Sequence, residues 1–430
     1  METAENLLLT PCDRISDLPS NVIESILMYL PTRDAARTSI LSRKWRYKWT
    51  TVPQIILDDT IWDTSNEHRS IPKGKFVKAV FQILLIHQGP IFKFVLSIIE
   101  VEGCPEIDSL MINLSRSNVK ELTLKLCLGE HYKMPSSFFS CQELRQLNLR
   151  SCLIAPPASF KGFSQLISLT LHKADISAEV LESLISSCLI LEKLKLEISD
   201  NLYYLEISAP KLKSFIIKSP VRHIFFKNTP ILAMVSLVTS KNVEGFDIPE
   251  VGEGIIQHFD CLSSLENLHL DYYFIKSFSA DGIPTRITTA LIHLKVLKLT
   301  NISLDIIDEV SFVLFLLRCS PNLREMDIKV YADDETIERD TGEILDLLDN
   351  LDITFNELQE VKLHYISATR TEMELIKLLL GRSPFLGKMV LELVDEFYKA
   401  ENEILKKLNT YRRASRYAEV VTYYHNESYP

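Results

Sequence analysis

The segment LRQLNL, Leu144 to Leu149, sets leucines at its first, fourth and sixth positions. The same phrase returns as LISLTL (Leu166 to Leu171), LEKLKL (Leu191 to Leu196), LENLHL (Leu265 to Leu270) and LKVLKL (Leu294 to Leu299). Leucines two residues apart fall on one face of a strand, so each copy predicts a short strand buried on one side. Looser copies begin at Val119 (VKELTL), Leu202 (LYYLEI), Leu212 (LKSFII), Leu323 (LREMDI) and Leu358 (LQEVKL). The steps between Leu122, Leu147, Leu169 and Leu194 are 25, 22 and 25 residues. Those between Leu268, Leu297, Met326 and Val361 are 29, 29 and 35.

The shorter steps match the period of leucine-rich repeats. Helical stretches such as Ser177 to Cys188 and Val310 to Cys319 lie between the strands, so each unit reads strand, loop, helix. One strand and one helix cannot bury their apolar sides alone, whereas stacked copies share a continuous core. The predicted fold is therefore an α/β repeat: an irregular solenoid with stacked strands on a curved inner surface. Residues between the leucines point to solvent there, and as a set they form the candidate target-holding ribbon. They are Lys125, Asn148, Arg150, His172, Lys193, Lys195, Tyr204, Glu206, His269, Asp271 and Lys298, together with Thr123, Thr170, Asp327 and Lys362.

Ahead of the repeats, Cys12 to Pro53 reads CDRISDLPSNVIESILMYLPTRDAARTSILSRKWRYKWTTVP. Its punctuation predicts three short helices. Pro19 suits a first helical turn, with Ser16 or Asp17 as a cap, and Val22, Ile23, Ile26, Leu27 and Leu30 form an apolar stripe that Pro31 ends. Thr32 caps a second helix carrying Ala35, Ala36 and Ser39. Ser42 caps a third, Arg43 to Trp49, with Trp45 and Trp49 one turn apart. So short a module has little interior. Part of its apolar surface, indoles included, is expected to meet another protein, and the basic run Arg43, Lys44, Arg46 and Lys48 reads as the solvated side of the third helix.

The spacing of Leu18-Pro19, Ile26-Leu27, Leu30-Pro31, Leu41-Ser42-Arg43 and Trp45-Arg46 resembles the F-box, and SILSRKWRYKW is especially similar to its plant form. The resemblance implies docking onto a Skp-type adaptor and, through it, a cullin and RING ubiquitin ligase. The implied docking set is Leu18, Pro19, Ile26, Leu27, Leu30, Pro31, Leu41, Trp45 and Trp49. Near the other end, LQEVKLHYISATRTEMELIKLLLGRSPFLGKMVLEL (Leu358 to Leu393) reads as strand, helix with Leu375, Ile376, Leu379 and Leu380 at helical spacing, a stop at Gly381, and strand. It resembles the FBD region of plant F-box leucine-rich-repeat proteins. Glu401 to Arg416, with Arg412, Arg413 and Arg416, then reads as a capping helix. The expected domain plan is an F-box over 12–53, a linker over 54–74, a leucine-rich-repeat solenoid over 75–345, and the FBD region with its cap over 346–425.

Composition narrows the function. A net charge of -10 is the wrong sign for phosphate backbones or anionic lipid, so no nucleic acid or membrane partner is expected. Twelve glycines leave little material for phosphate-cradling loops, and Gly252 with Gly254 form a lone GxG. The eight cysteines lack metal-ligand spacing and read as reduced, mostly buried thiols of a cytoplasmic or nuclear protein. The apolar run Ala79 to Ile99 is interrupted at Gly89-Pro90 and reads as helix, turn and strand rather than a membrane span. The acidic clusters Asp58-Asp59 and Asp333-Asp334-Glu335 read as solvated loops, and Asn113, Asn301 and Asn426 in N-x-Ser patterns as chance matches. No catalytic motif, cofactor or metal site is expected. The expected role is a substrate-recognition adaptor of a ubiquitin ligase; the alternatives are a repeat-built binding scaffold without ligase assembly and a small-molecule sensor.

Overall fold

The computed structural model describes residues 15, 17–58, 73–99, 105–127, 131–198, 202–239, 262–279, 291–331, 341–394 and 401–424. Ser16, Asp59, most of the expected linker, the Gly252-Gly254 pair, the 333–335 acidic cluster and Asn426 lie outside the described residues. The chain divides into two compact units, Met1–Ile176 and Ser177–Pro430.

The first unit opens with α1 (Ser20–Leu27) and α2 (Thr32–Arg37), followed by β1 (Gln54–Leu57), α3 (Lys73–Ile86), β2 (Lys93–Ile99), α4 (Pro105–Ser115), β3 (Glu121–Cys127), β4 (Tyr132–Lys133), β5 (Gln146–Arg150), β6 (Cys152–Leu153) and β7 (Ser168–Ala174). Strands β1, β2, β3, β5 and β7 pair in parallel in that order. Each strand buries its alternate residues: Leu122, Leu124, Leu147, Leu149, Leu169 and Leu171 are all in the core. Where a repeat has no room for a helix, aromatic rings fill the layer. Phe138 meets Phe139 and Phe163 edge-on at 5.1 and 5.5 Å, and Phe160 meets Phe163 at 4.9 Å.

The apolar run Ala79 to Ile99 is divided as its Gly-Pro pair predicts, into α3, a turn and β2. Gly89 is required in that turn, because a Cβ there would stand 2.5 Å from the Thr51 carbonyl oxygen. The close approach lets the Gln88 and Gly89 N–H groups donate to the Thr50 carbonyl at 2.9 and 3.2 Å. No helix among the described residues is long and apolar enough to cross a membrane.

The second unit runs α5 (Ala178–Ser187), β8 (Lys193–Ile198), β9 (Leu202–Ser208), β10 (Ser214–Ile217), β11 (Val221–Lys227), β12 (Met234–Leu237), β13 (Asn267–Asp271), α6 (Tyr272–Ser279), β14 (Val296–Ile302), α7 (Ile307–Cys319), β15 (Glu325–Val330), α8 (Gly342–Asp349), β16 (Glu360–Ile366), α9 (Arg370–Arg382), β17 (Lys388–Leu393), α10 (Glu401–Thr410) and β18 (Glu419–Tyr424). Strands β8, β10 and β12 to β18 form one parallel ladder. Its central core column is Leu194, Phe215, Val235, Leu268, Leu297, Met326, Val361 and Met389, continued by the half-buried Val420. The Ser177 hydroxyl caps α5, accepting the Val180 N–H. LAMVSL, from Leu232, supplies β12, a further copy of the L-x-x-V-x-L form that LQEVKL has and that the sequence reading leaves out.

LYYLEI does not join the ladder. Only a few residues separate β8 from β9, too few for the crossover that a parallel neighbour needs. β9 instead pairs with β11 in a two-stranded sheet of its own. Phe226 of β11 packs edge-on against Phe215 of β10 at 5.5 Å, so this small sheet occupies the layer that helices fill elsewhere. Helix α9 runs through Gly381 to Arg382, because Pro384 rather than the glycine ends it. The chain's last described element is β18, so the terminal stretch is a shorter helix and a strand instead of a helix to Arg416. Arg412, Arg413 and Arg416 are exposed, and Arg413 donates to the Ala418 carbonyl at 2.9 Å.

Candidate functional site

The leading module closes a small core of its own. Ile23, Leu27, Ala35, Trp45 and Val52 are buried together, and Leu18, Leu30 and Trp49 pack against them half-buried. The prolines are the residues that precede each helix: Pro19 before α1 and Pro31 before α2, both extended, with Pro19 exposed and Pro31 half-buried. The third predicted helix does not form. Ser42 to Tyr47 is a run of tight turns, in which Trp45 N–H bonds the Ser42 carbonyl at 3.1 Å and Lys48 N–H the Trp45 carbonyl at 3.2 Å, and only Lys48–Thr51 winds into a 3₁₀ turn. Side chains secure the turns: Ser39 donates to the Arg46 carbonyl at 2.6 Å, Lys44 to the Leu18 carbonyl at 2.9 Å and Lys48 to the Ser20 hydroxyl at 3.0 Å. Two of the expected solvated cations therefore tie the end of the module to its beginning.

Trp45 is 2% exposed, so it holds the module together and is not a free anchor for a partner. Leu27 is likewise sealed. The reason lies in the phase of α1. Positions 23, 27 and 30 follow one side of the helix and enter the core, whereas 22, 26 and 29 follow the other side. The single stripe read from the sequence is thus two faces. Val22, Ile26, Met28, Tyr29, Ile40 and Leu41 are exposed, Tyr29 and Ile40 almost fully at 89% and 87%. Of the predicted docking set only Ile26 and Leu41 are among these exposed apolar groups. The spacing of Val22, Ile26 and Tyr29 was the signal for the outward face.

Unlike the module, the open face of the first unit's sheet is polar. Register sets Thr123 beside Asn148 and Thr170, and Lys125 beside Arg150 and His172. In the second unit, Lys193 and Lys195 lie exposed on the open face of β8, and His269 and Lys298 are neighbours on β13 and β14. Tyr204 and Glu206 leave this set because they are on β9: Tyr204 stacks on Phe225 at 4.8 Å, and Glu206 pairs with Lys227 at 2.5 Å. Asp271 leaves it as well. It is 3% exposed because β13 runs straight into α6, where its carboxylate accepts the Phe274 N–H at 3.2 Å and the Thr239 hydroxyl at 2.6 Å. Burial pushes its pKa up against those hydrogen bonds.

On β14 to β18 the open face carries a connected polar ladder. Lys298 pairs with Asp327 at 2.9 Å, Asp327 meets His364 Nε2 at 3.3 Å, His364 Nδ1 meets Glu392 at 2.5 Å, and the Tyr423 hydroxyl donates to Glu392 at 3.4 Å. His269 bonds Ser236 and Thr300 at 3.1 and 3.3 Å, and burial with the nearby Lys298 charge holds its pKa down at about 4. The leucine pattern points to Lys362 on this face but does not single out His364, Glu392 or Tyr423. The outward position two residues after Lys362 was the sequence signal for His364. Cys141, Cys152, Cys188 and Cys319 are free and buried, and burial raises the thiols of Cys141, Cys152 and Cys319.

Residues 15–56 match the F-box domain model, and residues 104–328 match the model described as FBD-associated F-box protein At5g56370, LRR repeats. F-box/FBD/LRR-repeat protein At1g13570 of Arabidopsis thaliana is 37% identical over 410 residues, which is 95% of this chain and 98% of the relative. The chain belongs to the F-box/FBD/LRR-repeat family. Two further Arabidopsis thaliana relatives match more narrowly: F-box/FBD/LRR-repeat protein At5g56420, 31% identical over 47% of this chain and 48% of its own, and Putative F-box/FBD/LRR-repeat protein At4g00315, 28% identical over 75% and 78%. In this F-box protein the F-box match covers the module built around Trp45, and the repeat match extends over strands of both units.

Proposed function

We propose that this F-box protein is the substrate-recognition adaptor of a Skp, cullin and F-box ubiquitin ligase. The observation that carries the reading is the outward apolar face of Val22, Ile26, Met28, Tyr29, Ile40 and Leu41, left exposed although the module has completed its own core. Such a surface suits a partner subunit, and aromatic and aliphatic anchors of this kind concentrate binding energy. The domain plan is an F-box over 12–53, a linker over 54–74, repeats over 75–345 and an FBD region over 346–425, whose core is β16, α9 and β17. The open strand face holds the target.

The mechanism is proximity. The adaptor raises the local concentration of target beside a separate transferase and contributes no bond chemistry, so the protein is not an enzyme and needs no cofactor or metal. Its compartment is the cytoplasm or nucleus, a reading supported by the four buried free thiols. The test is co-purification with a Skp-type adaptor. Ile26→Ser with Tyr29→Ala should abolish capture while thermal unfolding stays put. Capture of the folded double variant at the wild-type level refutes ligase docking and leaves a binding scaffold.

A further inference from the structure

The two units end their sheets differently. In the first, the leading module covers the edge strand β1, where the Thr32 hydroxyl accepts the Ile56 N–H. In the second, β18 ends the ladder, and among the described residues no strand pairs with its outer side. Glu419 N–H donates to the Gly387 carbonyl at 2.9 Å, so the main-chain groups of Glu419, Val421 and Tyr423 face β17. Those of Val420 and Thr422, the alternate residues, face outward, spaced as a template for one more strand.

The core side adds an independent observation. On β17 the inward positions Met389, Leu391 and Leu393 are buried. Their register partners on β18, Val420, Thr422 and Tyr424, are only half-buried. A terminal repeat that caps an array carries a polar outer side, and exposed edges are commonly blunted by lysine or proline. β18 reads EVVTYY, with neither, and leaves Val420 and Tyr424 at core positions of the last strand. We propose that β18 receives an extended segment of the target polypeptide, which adds one strand to the ladder and carries acidic residues at the end nearest Arg412 and Arg416. The inference rests on the reading of this protein as a substrate-recognition adaptor, and it names the form and charge of the target segment.

Main-chain hydrogen bonds supply the affinity of such strand addition, and alternate side chains lying over Val420 and Tyr424 supply the selectivity. Charge selects the occupant. Arg412, Arg413 and Arg416 are exposed in the loop that leads into β18, and Glu419 is the one acid between Tyr411 and Tyr424. A second copy of this chain closes a two-fold pair only with its β18 antiparallel to the first. That pairing sets each arginine cluster beside the far end of the other strand, Thr422 to Tyr424, which carries no carboxylate. A target segment with acidic residues at that end meets the cluster directly.

The experiment is fluorescence anisotropy on the full chain with labelled peptides of alternating threonine and valine that carry two aspartates at one end, the first or the last. One of the two should bind at least about ten-fold more tightly than its asparagine counterpart. N-methylation of alternate amides should abolish binding in one phase and spare it in the other, because only one set of amides faces β18. Thr422→Pro removes an N–H that the ladder does not use and should abolish binding without lowering the unfolding temperature. Arg412→Gln with Arg416→Gln should erase the preference for aspartate. The proposal is overturned by absence of binding, by equal binding of the aspartate and asparagine peptides, or by equal binding of both methylated phases, a comparison that leaves the protein unaltered. It is also overturned if sedimentation shows a wild-type dimer that Thr422→Pro dissociates, which assigns the edge to a second copy. Pull-down of the Skp-type adaptor separates the two readings. Adaptor captured without peptide binding defeats this inference only, and peptide bound without adaptor defeats ligase assembly only.

Discussion

The buried hydroxyl of Thr32 accepts the backbone N–H of Ile56 at 2.7 Å. Thr32 begins α2 of the F-box module and Ile56 lies in β1, which pairs with β2 along one edge. The module therefore supplies an acceptor to a strand edge that would otherwise leave its N–H unpaired. Gln54 repeats the contact in the other direction, its side-chain amide donating to the Met28 carbonyl. The residue expected to cap a helix is thus used to join the F-box to the first strand.

Thr32→Val keeps the branched shape and removes the acceptor. The expected loss is about 1 kcal/mol, because the half-buried Ile56 N–H loses its acceptor. Urea unfolding should show a lower midpoint at an unchanged slope, and proteolysis near Pro53 should quicken. An unaltered midpoint refutes the joint.

Gly89→Ala should be worse than its size suggests. Its Cβ would meet the Thr51 backbone at 2.5 Å, forcing apart the turn that carries the two bonds to the Thr50 carbonyl. A loss of more than about 1 kcal/mol is expected, within the range of strained backbone substitutions. Calorimetry reads it as a fall in the unfolding temperature; a silent variant would mean the turn yields at no cost.

Trp45 and Tyr29 should part company. Trp45→Ala opens the module's core and is expected to cost about 3 to 5 kcal/mol. Tyr29→Ala changes an exposed side chain and should stay within about 0.5 kcal/mol in stability while weakening adaptor capture. Binding measured by titration calorimetry on the folded proteins distinguishes them. A stable Trp45→Ala variant with selective loss of binding would return the indole to the interface.

Glu372 gives a pH signature. It sits buried in the capping box of α9, bonded to Thr369, and burial, helped by the Asp305 charge, raises its pKa to about 7. The native state thus holds a proton that the unfolded chain releases near the ordinary glutamate value of about 4.3. Glu372 contributes its full stability below that value and loses it as pH climbs toward 7, by about 4 kcal/mol across the window. Denaturation at several pH values should show this slope in the wild type and its absence in Glu372→Gln. The same slope in both proteins would assign it to another group.

Much of this was legible in the residues because repetition is local information. A leucine two positions from another chooses a strand face regardless of distant context, so LRQLNL, LEKLKL and LKVLKL each predicted a ladder strand that the structure contains. The F-box spacing was equally explicit, and the family matches agree with it. What the pattern could not convey was which layer a strand would enter. LYYLEI has the inner-strand phrase, yet the short connection from β8 sends it to the helical layer, and Tyr204 and Glu206 go with it.

The sequence by itself determined the repeat, the leading module and the absence of a recognisable catalytic motif, since each depends on spacing along the chain. Only the tertiary structure decided which apolar groups are left over. Trp45 is sealed while Ile26 and Leu41 are exposed, because α1 divides its stripe between two sides and the turns after Leu41 fold the indole back onto Ile23 and Leu27. It also decided that Asp271 would cap a helix and that Lys125 would lie beside Arg150. Such outcomes depend on three-dimensional neighbours, and residues tens of positions apart become neighbours only when the strands pair.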